Sequence, residues 1–128
     1  MKQHRFSVLK RLDSFKYAFN GLRILLDEEH NSRIHLFAAI VVVLAGLFFN
    51  VSANEWIAIV FSIGLVFCLE IINSSIENIA DFISPEKHDK IKKIKDLSAA
   101  AVLISALTAL ITGLIIFIPK LTEWCCKL

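Results

Sequence analysis

Three apolar stretches dominate the sequence. Ile34 to Phe49 contains no formal charge other than one His35 would carry if protonated, and Trp56 to Leu69 and Leu97 to Pro119 contain none. A helix crossing the hydrocarbon layer needs about 20 predominantly apolar residues. The third stretch is long enough alone, and the first needs a few flanking residues. The second reaches spanning length only by taking in Glu70, Ile71 and Ile72. The pattern predicts spans of about 34–50, 55–76 and 97–119.

Upstream the period changes. Val8, Leu12, Phe15, Phe19, Leu22 and Leu26 are alternately four and three residues apart. At 100° per residue all six fall within about 40° of one line, a narrow apolar stripe. Lys10, Arg11, Asp13, Lys16, Asn20 and Arg23 occupy the rest of the surface. A helix over about 6–27 is therefore expected to lie in the membrane interface or against other helices. The expected fold is an all-α membrane protein, with an N-terminal amphipathic surface helix and three transmembrane helices in a single domain over 1–128.

Composition supports this reading and narrows function. Of 128 residues 56% are hydrophobic and 20% charged, and mean hydropathy is +0.66. Fourteen basic residues stand against twelve acidic ones, a net charge of +2, which does not make the basic face of a nucleic-acid binder. Cys68 lies in an apolar run and Cys125 and Cys126 are adjacent near the end, so the three cysteines form no disulfide framework. A charged, mixed segment runs to Arg33 before the first apolar stretch, so no cleaved signal peptide is expected. Seven basic residues precede the first span and five lysines lie between Phe82 and Asp96, whereas Asn50 to Glu55 has no Lys or Arg. The positive-inside rule then puts the N-terminus in the cytoplasm and the C-terminus outside, with Trp56 and Trp124 at the outer interface.

The second span ends in a run of polar groups. With Glu70 at zero on a helical wheel, Asn73 falls near about −60°, Ser74 near about +40°, Glu77 near about −20° and Asp81 near about +20°. Three carboxylates, an amide and a hydroxyl share one face. Each acid at mid-membrane costs about 2.5–3.5 kcal/mol on insertion scales, a penalty that packing alone does not require. Counting about 1.5 Å per residue from Trp56, Glu70 lies about 21 Å along the helix and Glu77 about 31 Å, against a hydrocarbon thickness of about 30 Å. Glu70 is thus inside the cytoplasmic boundary and Glu77 at it. Closely spaced acids with an Asn suit a divalent cation, above all magnesium, which takes oxygen ligands and bridges carboxylate to phosphate. Asp27, Glu28 and Glu29 put a second acidic cluster at the same membrane face, and Lys95 and Asp96 are expected to open the third span, with Asp96 as its helix cap. The four glycines form no phosphate-cradling loop. His30 and His35, five apart, lie about 140° around a helix and make no zinc pair.

The string Glu70-Ile-Ile-Asn73-Ser74-Ser75-Ile-Glu77, followed by Glu86-Lys87-His88 and then by Lys95-Asp96-Leu-Ser-Ala-Ala-Ala-Val-Leu, resembles the bacterial integral-membrane diacylglycerol kinase family, which includes the undecaprenol kinases. The likeness extends over about residues 6–119, including Ser14 to Arg23 and Glu28 to Arg33. It implies an ATP-dependent lipid-alcohol kinase of the bacterial inner membrane, a homotrimer of three-span protomers with each surface helix roofing a site. By position, Glu70 matches the general base for the lipid hydroxyl. Glu29 and Glu77 match the ligands of Mg2+ bound with ATP, with Asn73 beside them. Lys95 and Asp96 match phosphate- and nucleotide-site residues, and Lys10, Tyr17, Glu86 and His88 match further nucleotide contacts. Lys87 stands where diacylglycerol-type members often have Tyr, and Ala99, at the lipid site, where they often have Ser.

Several strings, among them Asn20-Gly-Leu-Arg23 and Ser84-Pro85-Glu86, lean toward undecaprenol as substrate, with diacylglycerol as the alternative. From another class, a small multidrug-type transporter would have four spans and an acid in the first, where this chain has Ile40 to Leu44. A purely structural membrane protein would not need acids at 70, 77 and 81 on one face.

Overall fold

The computed structural model describes residues 7–128 and consists of four helices: α1 (Val8–Glu28), α2 (His30–Phe48), α3 (Ala53–Ile83) and α4 (Asp89–Lys127). Residue 6, where the surface helix is expected to begin, lies outside the described residues. The last three helices are long and apolar enough to cross a membrane.

Each helix end has a local cause. Ser7 caps α1, its Oγ accepting from the Lys10 N–H at 3.5 Å. At the other end the Arg33 side chain folds back, Nε donating to the Leu26 carbonyl at 2.6 Å and Nη2 to that of Asp27. Carbonyls that α1 leaves without intrahelical partners are thereby satisfied. Asp27 and Glu28 end the helix, and Glu29 alone, in extended conformation, separates α1 from α2.

The turn between α2 and α3 is equally short. Asn50 takes a left-handed φ of 51°, a conformation that Asn tolerates better than most residues. The Val51 N–H then reaches the Gly46 carbonyl at 3.1 Å. Ser52 and Glu55 form a reciprocal capping box that starts α3. Val51, Ile59 and Ile116 form a small core at this end, packed by Val42, Phe49, Trp56 and Phe117. Lys120 on α4 pairs with Glu55 at 3.1 Å and closes the same end.

The third apolar stretch lies inside a longer helix than the sequence predicts. α4 begins at Asp89, capped by His88, whose Nδ1 accepts from the Lys90 N–H at 3.1 Å. Asp96 is therefore not the helix cap. It sits two turns inside and pairs with Lys92, one turn back, at 2.7 Å. The lysine-rich segment is helical because Lys has good helix propensity and the Lys92–Asp96 pair has helical spacing. Downstream, Pro119 removes one backbone donor, yet the helix continues to Lys127.

At about 1.5 Å per residue, α3 is about 46 Å long and α4 about 58 Å, both longer than a hydrocarbon layer of about 30 Å. α3 packs most extensively on α4, whereas α1 touches α2 and α3 only near its C-terminal end, where Leu25 is buried. Among the described residues only Leu25, Val51, Ile59, Val66, Ala80 and Ile116 are buried apolar side chains. The remaining apolar surface of the three long helices faces outward, as helices solvated by lipid require. Val8, Leu12, Phe15, Phe19 and Leu22 on α1 are also exposed.

Gly46 is the one glycine packed directly against a side chain of another helix. A Cβ there would stand 2.6 Å from Cη2 of the Trp56 indole. Gly46→Leu is expected to destabilise the fold by about 1–3 kcal/mol through overpacking, read as a lower unfolding temperature in detergent.

Candidate functional site

The polar face predicted from the sequence lies on the inner half of α3, and each part of it meets a different neighbour. Glu70 is 2% exposed. Its Oε1 lies 3.0 Å from Nε2 of His35 on α2, but the ring N–H is not aligned for a hydrogen bond, so Oε1 is buried with no hydrogen-bond donor. The contact is an electrostatic pairing when the imidazole is protonated. Glu29 and Glu77 are also near enough for their charges to act on Glu70.

One turn further, the buried Ser74 hydroxyl donates to Glu29 Oε1 at 3.1 Å. This bond docks the α1–α2 joint onto α3 and brings the acidic cluster before the first span to the site. Asn78 Nδ2 donates to the Ser74 carbonyl at 2.8 Å, so Asn78 is occupied within its own helix. The Asn73 Oδ1 is buried without a partner. Asp81 pairs with Lys95 of α4, which joins the facing ends of the two longest helices.

Around the α3–α4 connection lies a cleft of 470 Å³ lined by Asp81, Glu86, His88, Lys92, Lys95 and Asp96, among others. Lys10 and Tyr17 on α1 are exposed. Ala99 is exposed on α4. A second, apolar groove of 410 Å³ runs between α2, α3 and α4 from His35 to Phe117, along Val42, Ile63, Val66 and Ala109.

Every candidate ligand is an oxygen donor: the carboxylates of Glu29 and Glu77, with the unpartnered Asn73 Oδ1 beside them. Among the described residues no three His, Cys, Asp or Glu side chains converge into a ready-made metal cage. Both facts fit magnesium, which keeps several waters and is held by one or two carboxylates together with substrate phosphates.

His35 has a role at the site that zinc-pair spacing does not reveal. The available signal is a single ionisable side chain in an otherwise uncharged span, which is itself a mark of function. Ser74 is legible as a hydroxyl on the acidic face, but its bond to Glu29 depends on how the α1–α2 joint folds back.

Three helices long and apolar enough to span a membrane, with acids gathered on the C-terminal half of the second, define a class of small membrane protein, and the sequence comparisons identify its family. The prokaryotic diacylglycerol kinase family profile matches residues 16–117. The undecaprenol kinase of Bacillus subtilis (strain 168) is 37% identical over 120 residues, 94% of this chain and 98% of that protein. The diacylglycerol kinase of Escherichia coli (strain K12) is 34% identical over 100 residues, 78% of this chain and 82% of that protein. The diacylglycerol kinase of Synechocystis sp. (strain ATCC 27184 / PCC 6803 / Kazusa) is 32% identical over 111 residues, 86% of this chain and 63% of that protein. The chain belongs to the prokaryotic diacylglycerol kinase family and is a lipid kinase.

Ser74→Ala removes a hydrogen bond to a charged acceptor and is expected to cost about 1.5–3 kcal/mol of stability. Thermal unfolding in detergent checks this, with Ser75→Ala as the control, since Ser75 bonds only its own helix.

Proposed function

We propose that the protein transfers the γ-phosphoryl group of ATP to the hydroxyl of undecaprenol at the cytoplasmic face of the bacterial inner membrane. The observation that carries this reading is Glu70, a carboxylate buried inside the membrane boundary with an oxygen that no hydrogen bond occupies. A lipid hydroxyl arrives through the bilayer and a nucleotide from the cytoplasm, and the inner half of α3 is where the two meet. The positive-inside charge bias supports this orientation, with the N-terminus cytoplasmic and the C-terminus outside.

Phosphoryl transfer needs positioning and electrostatic stabilisation more than covalent help. Glu70 removes the hydroxyl proton as the lipid oxygen attacks. Glu29, oriented by Ser74, and Glu77 would hold Mg2+, with Asn73 beside them. A cation bound there with ATP would supply neutralisation of phosphate charge. Lys95 supplies a further positive charge where negative charge accumulates, and Asp81 holds its ammonium at the mouth of the site. Asp96, Glu86 and His88 line the cleft that takes the nucleotide. Lys10 and Tyr17 join it from α1 of a protomer in the homotrimer that the family likeness implies. Ala99 belongs to the lipid side.

Undecaprenol is preferred because the relative with that name matches along nearly its whole length. Diacylglycerol is the second reading, favoured by the relatives bearing that name.

Glu70→Gln is expected to lower turnover by at least about 100-fold, the scale of general base catalysis, while Asn78→Ala stays near normal. The reverse result overturns the assignment. Chelation of divalent cations is expected to abolish transfer and added Mg2+ to restore it. Labelled ATP with purified protein in mixed micelles of either lipid decides the substrate. A kcat/KM ratio above about tenfold, or about 1.4 kcal/mol, in favour of undecaprenol supports the first reading, and the opposite ratio the second.

A further inference from the structure

Transfer of a phosphoryl group to an alcohol breaks the lipid O–H bond and the P–O bond to ADP and forms one new O–P bond. One proton is left over at each turnover. If Glu70 takes that proton, it must release it before the next lipid hydroxyl can react, yet at 2% exposure it has almost no contact with water. Among the described residues, the only ionisable side chain within 4 Å of its carboxylate that carries a nitrogen is His35, with Nε2 3.0 Å from Oε1.

The imidazole suits this task. It can take a proton on Nε2 and release one from Nδ1, so a proton can pass from one side of the ring to the other. Its side chain is 24% exposed against 3% for that of Glu70. At about 1.5 Å per residue His35 is only about 8 Å from the start of α2. It also lines the apolar groove, where it is the sole titratable residue. A packing role alone would favour an apolar side chain there.

We propose that His35 acts through Glu70 as a positioning and relay residue: its Nε2 stands 3.0 Å from Oε1 and receives the proton that Glu70 removes from the lipid hydroxyl. The lipid proton passes to Glu70, the carboxyl proton to His35 Nε2, and the imidazolium loses its Nδ1 proton to water; exchange of the Nε2 proton for one on Nδ1 through water then restores the starting tautomer, with one proton released per turnover. The other charged groups acting on Glu70 are Glu29 at the α1–α2 joint and Glu77 on its own helix. Both are acids that the proposed reaction commits to the cation. On α4, Lys95 is engaged by Asp81.

The inference rests on Glu70 being the base, and the experiment separates the two. His35→Gln retains a hydrogen-bonding side chain but cannot take up and pass on a proton. It is expected to lower kcat by at least about tenfold, toward the loss typical of a removed acid–base group, with KM for ATP and for lipid changed less than about threefold. His35→Ala is expected to lose at least as much kcat and to regain it, saturably, on addition of imidazole, while Glu70→Gln is not rescued.

A His35→Gln enzyme within about twofold of the parent kcat, a loss confined to KM, or a folded His35→Ala enzyme that imidazole does not restore overturns the proposal. An inactive Glu70→Gln beside a fully active His35→Gln leaves Glu70 as base and removes His35 from the pathway. An active Glu70→Gln overturns both. Where His35→Ala does not fold, the kcat and KM of His35→Gln decide alone.

Discussion

Placing carboxylates at the inner end of a membrane helix is the constraint on which the rest of the structure depends. Lipid offers such groups no hydrogen bonds, so they must be met by protein or by ligands. α3 meets this in three steps along one face, with Glu70 against His35 of α2, Ser74 binding Glu29 at the α1–α2 joint, and Asp81 pairing with Lys95 of α4. The same contacts that make the acids tolerable fix where the other helices sit. The opposite end of the molecule is held by different means, an aromatic and aliphatic core closed by the Glu55–Lys120 pair.

The two ends divide the labour. At the turn between α2 and α3, Gly46, Asn50 and the Ser52–Glu55 box leave little freedom, and the packing is close. At the polar end, buried oxygens of Glu70 and Asn73 lack donors. Unsatisfied buried polar atoms are uncommon and costly in native proteins, and here they cluster on the face that the proposed chemistry uses. Rigidity at one end and unspent polar capacity at the other are what a lipid kinase embedded in its substrate's own solvent requires.

Much of this was legible in the sequence because membrane spans are written in long apolar runs. Three such runs give three of the four helices, and the four-three spacing of Val8 to Leu26 gives the remaining one. The acidic face was legible too, since the period of α3 brings Glu70, Glu77 and Asp81 together without any tertiary information. Helix ends were harder. The lysine-rich segment before Leu97 reads as a loop by charge, but lysine is a good helix former and Asp96 finds Lys92 one turn back. His35 went unassigned because its partner is 35 positions away, and no local pattern encodes which faces of α2 and α3 meet.

The joint between α1 and α2 carries a consequence of its own. Only Glu29 is non-helical there, and the same residue offers its carboxylate to Ser74. Two backbone torsions therefore set both the tilt of the N-terminal helix and the aim of that carboxylate. One residue inserted or removed at this point would swing α1 by about 100° about its axis, re-aiming its apolar stripe while displacing the acid. Length at the joint is thus as much a part of the site as the identity of its residues, and any tilting of α1 is mechanically geared to the carboxylate that faces α3.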